Sequence, residues 1–303
     1  MTALPGGNRA EIAAWVGSPA MTALLADFGH KTSEEVPLAE RLADLEEFSA
    51  GCWDFRKGRE RSEAVGVTFA PERDALIRAA AAALGLAGRQ TPARREYDHV
   101  LVHGGGVRTM VARADLAATI LRGGVTASGV TGLGSVRPLA GQEEIARRFG
   151  LRACLTEGDA VEEAMRRAFA LAEPAERRSG VTRAGQPWWV RSYPSARPPV
   201  HVLAAPSTRP GERANTADTL TGWAELVAPA TRGSRLLLIT TDIFVPFQHC
   251  DAVRLLALPY GCAVDTVGFD TGANAFVPPP ETFEILQEIR SAICSMNALL
   301  RAL

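Results

Sequence analysis

Residues 98–106 read Asp-His-Val-Leu-Val-His-Gly-Gly-Gly. An apolar strand pattern runs into three glycines, and a helical pattern follows over 111–122. Such a strand-to-helix turn brings bare backbone N–H groups close to a ligand. Glycine permits the approach because it lacks a Cβ and tolerates positive φ. The helix start adds unpaired donors and a partial positive charge. A phosphate, a carboxylate or a ribose edge is the natural guest. Gly104, Gly105 and Gly106 are therefore the first expected ligand contacts, and a merely tight turn is the plain alternative. Arg108 and Arg113 flank the loop, as partners for an anion or as surface charges. His103 ends the strand beside it, placed to contact ligand or act as acid or base, or else to serve as a structural histidine. The pattern is not the dinucleotide fingerprint, because Thr109 stands where its last glycine belongs. It is not a Walker loop either, since no Gly-Lys-Ser/Thr follows.

Outward from this turn, strand and helix patterns alternate. Strands are expected at 97–102, 125–131, 200–205, 235–241 and 262–267. Helices are expected at 111–122, 142–149, 160–173, 216–228 and 248–258. The alternation predicts a parallel sheet covered on both faces, with ligands beyond the carboxyl ends of its strands. Residues 178–199 interrupt the rhythm with a turn and the pair Trp188-Trp189. They read as a hairpin insertion, or as a lid over the pocket; adjacent tryptophans favour the packed hairpin.

Before residue 90 the patterns are helical. Ile12, Trp15 and Val16 share a face, as do Leu38, Leu42, Leu45 and Phe48. Pro71 stands where a first helical residue belongs, and an alanine-rich run follows, ended by Gly85. Residues 87–96 read as a polar linker. The expected organisation is a helical N-terminal region (1–90) and a Rossmann-like α/β domain (91–303) closed by a C-terminal helix. That helix is read over 281–303, where Leu286, Ile289, Ile293, Met296, Leu300 and Leu303 follow three-four spacing. Its seam docks on the N-terminal region or pairs across a homodimer.

A formal net charge of −1 in 303 residues points to neither nucleic acid nor an anionic membrane surface. No signal-peptide pattern opens the chain, and no run of eighteen apolar residues occurs, so a cytoplasmic protein without a membrane span is expected. Five scattered cysteines form no Cys-x-x-Cys pair, which reads as reduced thiols. The five histidines show no ligand spacing, so no metal is expected. His99 and His201 fall inside strands and read as core or sheet residues.

Other strand ends carry polar groups. Thr131-Gly132-Leu133-Gly134-Ser135 follows the second expected strand. Asn215-Thr216-Ala217-Asp218 opens a helix as a capping-box variant. Thr240-Thr241-Asp242 ends the apolar strand 236–239, where Asp242 accepts from ribose hydroxyls or caps the next helix. The first turn of the 248–258 helix, Gln248-His249-Cys250-Asp251, adds further polar groups.

Taken in order, Asp98-to-Gly106, Thr131-Gly132, Glu163-Ala164, Asn215-Thr216-x-Asp218 and Thr240-Thr241-Asp242 resemble the YdcF/SanA/ElyC-type family, over about residues 97–270. The YdcF branch is the most similar. It too has an N-terminal helical extension, and it lacks the His/Arg pair of other members, where this chain has Phe244 and Phe247. The departures are Thr131 for a serine and Leu133 for a glycine. The resemblance implies a Rossmann-like domain binding S-adenosylmethionine, and it adds Thr131, Gly132, Glu163, Asn215, Thr216 and Asp242 to the expected cofactor contacts. His103 and Asp242 are the expected catalytic candidates. Three functions follow: an enzyme using S-adenosylmethionine or a related nucleoside-bearing ligand, a non-catalytic nucleotide or adenosyl-ligand sensor, or a phosphoester hydrolase.

Overall fold

In this computed structural model the described residues are 8–33, 35–58, 64–88, 90–139, 141–152, 154–209, 212, 214–229 and 232–303. The N-terminal helices start on capping residues and proline. Asn8 accepts from the Glu11 amide to open α1 (Arg9–Val16), and Ser18 accepts from the Met21 amide to open α2 (Pro19–Asp27). Longer helices α3 (Leu38–Cys52) and α4 (Pro71–Ala83) follow, with Pro71 in the first turn as its position predicts. Ile12, Trp15, Leu42, Leu45 and Ile77 are fully buried, so the expected apolar faces are the faces that pack.

The remainder is built from β1 (Glu96–His103), α5 (Val107–Arg122), β2 (Thr126–Ser135), α6 (Glu143–Arg148), α7 (Glu157–Phe169), β3 (Glu176–Val181), β4 (Pro187–Tyr193), β5 (Val200–Ala205), α8 (Thr216–Leu226), β6 (Arg235–Thr241), α9 (Val245–Ala252), α10 (Leu258–Tyr260), β7 (Ala263–Phe269) and α11 (Thr282–Ala302). A π-helical stretch, Val253–Ala257, joins α9 to α10. The seven strands form one sheet in the order β3-β4-β5-β2-β1-β6-β7. From β5 to β7 all pairings are parallel, as expected. The sheet is mixed, because the 178–199 insertion is a hairpin that pairs antiparallel along the edge of β5. A short connection between β4 and β5 reverses the chain and permits only that direction.

Side-chain alternation splits the core in two. Val100 and Val102 of β1, with Leu237 and Ile239 of β6, face α5 and α7. Leu101, Leu236 and Leu238 face the opposite layer with Trp223 of α8. A third core holds the N-terminal helices against α11 and reaches Ile243 and Phe244 after β6, Cys250 on α9 and Val253 in the π-helical stretch. The apolar seam of α11 docks within the chain; Leu286, Ile289, Ile293 and Met296 are fully buried there. Leu303, read as its last contact, is exposed.

The second strand is longer than its sequence pattern suggests. It runs through Thr131, Gly132, Leu133 and Gly134 and ends only at Ser135. These residues are therefore not a loop beyond a strand end. The two glycines let α7 lie close on β2. A Cβ on Gly132 would stand 2.7 Å from Val161 Cγ1, and one on Gly134 would stand 2.9 Å from Gly158 Cα.

Among the parallel strands, successive crossovers run outward from β1 through β2 to β5. The chain then returns to the far side of β1 and continues through β6 to β7. The direction of winding reverses between β1 and β6. This is the switch point of a doubly wound sheet, where a crevice opens beyond the strand ends.

Candidate functional site

The glycine loop sits at this switch point. Each glycine has a local reason. A Cβ on Gly104 would stand 2.5 Å from the Leu133 carbonyl oxygen of β2. Gly105 has φ of +148°, a conformation that side-chain-bearing residues rarely adopt. Gly106 is the N-cap of α5 and has no side chain to cap with; the Val107 amide instead donates to Gln142 Oε1 at 2.7 Å.

Arg113, nearly two turns into α5, bends back beneath the loop and is 2 % exposed. It donates to the carbonyls of His103 (3.2 Å) and Gly104, and to Thr241 Oγ1 at 3.0 Å. One buried guanidinium thus joins the ends of β1 and β6 and places positive charge under the crevice. His103 is buried, and its Nε2 has no hydrogen-bond partner. Burial, then the charge of Arg113, pushes its pKa down to about 3, so the ring is neutral at ordinary pH.

Around the loop lies a cavity of about 850 Å3. Helices α5, α7 and α8 begin at it: Gly106, Glu157 and Thr216 are on its wall. Three helix N-termini therefore direct partial positive charge toward one space. Thr156 opens α7 in a capping box with Asp159. The Glu157 carboxylate then accepts from Ser135 Oγ at 2.5 Å and pairs with Arg137 Nε at 3.0 Å. At α8, Asn215 and Asp218 form the capping box that their spacing predicts. Asp218 also accepts from the Thr208 amide at 3.0 Å and its hydroxyl at 2.5 Å, which fixes the loop after β5. Five arginines (56, 108, 113, 137 and 209) face two glutamates (157 and 212) on the wall, a positive balance suited to an anion.

Of the residues singled out from sequence, His103, Gly104, Gly105, Gly106, Arg108, Arg113, Asn215, Thr216 and Gln248 are brought together on this wall. The others lie elsewhere. Thr131 and Gly132 are inside β2, and Thr131 is buried. Glu163 lies two turns into α7, near Arg152 and Arg166. Asp242 is buried as a brace: Oδ1 accepts from the Ile243 amide (2.8 Å), Oδ2 from the Thr271 amide (3.0 Å) and hydroxyl (3.1 Å). Burial pushes its pKa up to about 6 against these bonds. His99 packs edge-on to Trp223, and His201 meets Ser192 Oγ at 3.0 Å, as sheet residues. Gln248 lies on the wall and accepts from Thr240 Oγ1.

Glu157, Arg137, Gln142, Arg209 and Arg56 were not legible as site residues. The capping pattern Thr156-x-x-Asp159 marks where α7 begins and is the one signal that points to Glu157. The three arginines lie in irregular segments far apart in the sequence, and only the fold collects them. Among the described residues no group of three His, Cys, Asp or Glu side chains is placed to hold a metal ion. No described helix is long and apolar enough to cross a membrane.

Fold and cavity define a class: an α/β protein with a doubly wound sheet, an anion-suited crevice at its switch point, and a helical N-terminal region packed on its last helix. The chain belongs to the Rv3785 family. It is 31 % identical over 320 residues to "Uncharacterized protein Rv3785" of Mycobacterium tuberculosis (strain ATCC 25618 / H37Rv), an alignment covering 95 % of this chain and 88 % of that protein. The same figures hold for "Uncharacterized protein Mb3814" of Mycobacterium bovis. The family model described as the Rv3785 N-terminal domain matches residues 4–85. No solved structure matches.

Proposed function

We propose that this protein binds a phosphorylated nucleoside-type small molecule in the switch-point cavity. The carrying observation is the placement of the glycine loop and the α5 N-terminus at the β1/β6 switch point, within a wall of five arginines and two glutamates. Backbone donors and the helix end suit an anionic group, and about 850 Å3 accommodates a ligand of nucleotide size. The sequence resemblance to YdcF-type proteins favours a nucleoside-bearing ligand, and of the residues that carry it the glycine loop, Asn215 and Thr216 stand on the wall. The arginine excess favours a phosphate ester over S-adenosylmethionine, whose sulfonium is itself cationic. Binding is favoured over proton-transfer chemistry at His103, because a group with a pKa of about 3 is a weak base near neutrality.

A thermal-shift panel of nucleotides, S-adenosylmethionine and adenosine tests the reading. A ligand at a hundredfold excess over its dissociation constant adds about 2.7 kcal/mol of stability. Nucleotides should raise Tm, and Gly106→Val should abolish that rise in a folded protein. Gly106 suits the test because its φ is −71° and the added Cβ meets only the end of the Gln142 side chain, at 3.2 Å. No stabilisation by any nucleotide would remove the reading.

A further inference from the structure

The N-terminal helical region contributes a residue to the cavity. Arg56, four residues beyond the end of α3, stands on the wall although the rest of the wall belongs to the α/β part of the chain. Its position is built by α11. Gln287 Oε1 accepts from the amides of Phe55 (2.8 Å) and Arg56 (3.2 Å). Phe55 packs edge-on against Phe283, with ring centroids 5.6 Å apart. The guanidinium pairs with Glu288, whose side chain is 2 % exposed. A long, flexible side chain is thereby held in one orientation.

Where the counter-ions stand separates Arg56 from two other arginines of the wall. Arg137 and Arg209 pair with Glu157 and Glu212, which are themselves on the wall, so those charges are offset where a ligand would meet them. Glu288 lies behind Arg56 on α11 and is not part of the wall. Arg56 therefore reaches the wall from an ion pair whose carboxylate, Glu288, the ligand does not meet. The glycine loop, the α5 N-terminus and Arg108 form one anion-suited place, and Arg56 forms another, carried by a different part of the chain. At the first, the unpartnered Nε2 of buried His103 is an independent sign of a ligand contact.

We infer that the ligand carries at least two phosphoryl groups, the first held at the glycine loop and the second by Arg56, so that the N-terminal region selects nucleoside di- or polyphosphates over monophosphates. This rests on the proposed reading of the cavity as an anion site. An arginine is suited to the role because its planar fork bonds two phosphate oxygens at once.

The test is calorimetric titration of wild type, Arg56→Gln and Arg56→Lys with ADP, AMP, pyrophosphate and phosphate at one ionic strength, with Tm measured alongside. Wild type should prefer ADP to AMP, and pyrophosphate to phosphate, by about tenfold, the size of one charge-assisted hydrogen-bonded contact. Arg56→Gln should bring both ratios close to one, with ADP and pyrophosphate losing several-fold more affinity than AMP and phosphate. If loss of the Glu288 partner prevents that variant from folding, Arg56→Lys decides. It keeps the charge but not the fork, and should still shrink the ratios several-fold. A lowered Tm with unchanged ratios would mean that Arg56 only neutralises Glu288, and would overturn the inference; so would a wild type without preference. Arg56-dependent pyrophosphate binding with no nucleotide binding would keep this inference and discard the nucleoside. No binding of any of the four by wild type would discard both.

Discussion

Asp242 shows how a residue in an expected position takes another role. It ends the fourth parallel strand, but its oxygens are taken by Ile243 and Thr271, so it ties the ends of β6 and β7 together. Asparagine can supply one acceptor, not two. Asp242→Asn should therefore lose the Thr271 bonds and about 1–3 kcal/mol of stability, read by denaturant unfolding, with ligand preference unchanged. The loss should depend on pH. The folded pKa, about 6, lies above the ordinary 3.8. Between those values the folded state holds a proton that the unfolded chain has released. The contribution of this carboxyl is full below pH 4 and falls as pH rises through about 6. The stability gap between wild type and Asp242→Asn should narrow over that window. A gap independent of pH would mean that the carboxyl is not held protonated by burial.

At the scale of elements, β2 and α7 are built on absent side chains. Gly132→Val would press against Val161 and Met165 and should cost about 1–3 kcal/mol by overpacking. Wild-type stability in that variant would show that α7 shifts freely over the sheet. The same glycines explain what the sequence did and did not reveal. Strands β5 and β6 are bounded by turn residues on both sides and were legible to the residue. The sequence pattern of β2 stops at Thr131, four residues before the strand does, because glycine punctuates turns far more often than it fills a strand under a close helix. Helix α7 starts three residues before its apolar pattern, because its first turn is Glu-Gly-Asp, whereas the first turn of α5 carries Val107 and Met110 on the apolar face but follows three glycines that read as loop. Part of the cavity wall lies in those first turns, at Arg108, Thr109 and Glu157, and in the arginines of connecting segments, Arg56, Arg137 and Arg209. Periodicity cannot mark a residue that packs against nothing of its own element. The capping box at Asn215 was legible because its spacing is itself the mechanism.

For the whole molecule, the third core decides cooperativity. It contains residues of all four N-terminal helices, α11, and Phe244 and Cys250 from the α/β part. Denaturant unfolding should therefore be a single transition. Trp15 and Trp53 report on the N-terminal region and Trp223 on the sheet layer, all fully buried. Single-tryptophan variants should give coincident curves, and Ile289→Ala should move them together by about 2–5 kcal/mol. Separate midpoints would mean that the N-terminal region folds by itself.

The anchoring of the N-terminal helices on α11 also sets an order of events during synthesis. The Phe55 amide waits for Gln287, 232 residues further along the chain. Until that stretch has left the ribosome, the apolar faces of α1–α4 have no α11 to close on, and their exposed leucines and tryptophans are a target for chaperones. The cavity wall is likewise incomplete until then, because Arg56 has no Glu288 to orient it. A nascent chain halted before α11 should be digested by protease in its N-terminal region, and one released after α11 should resist.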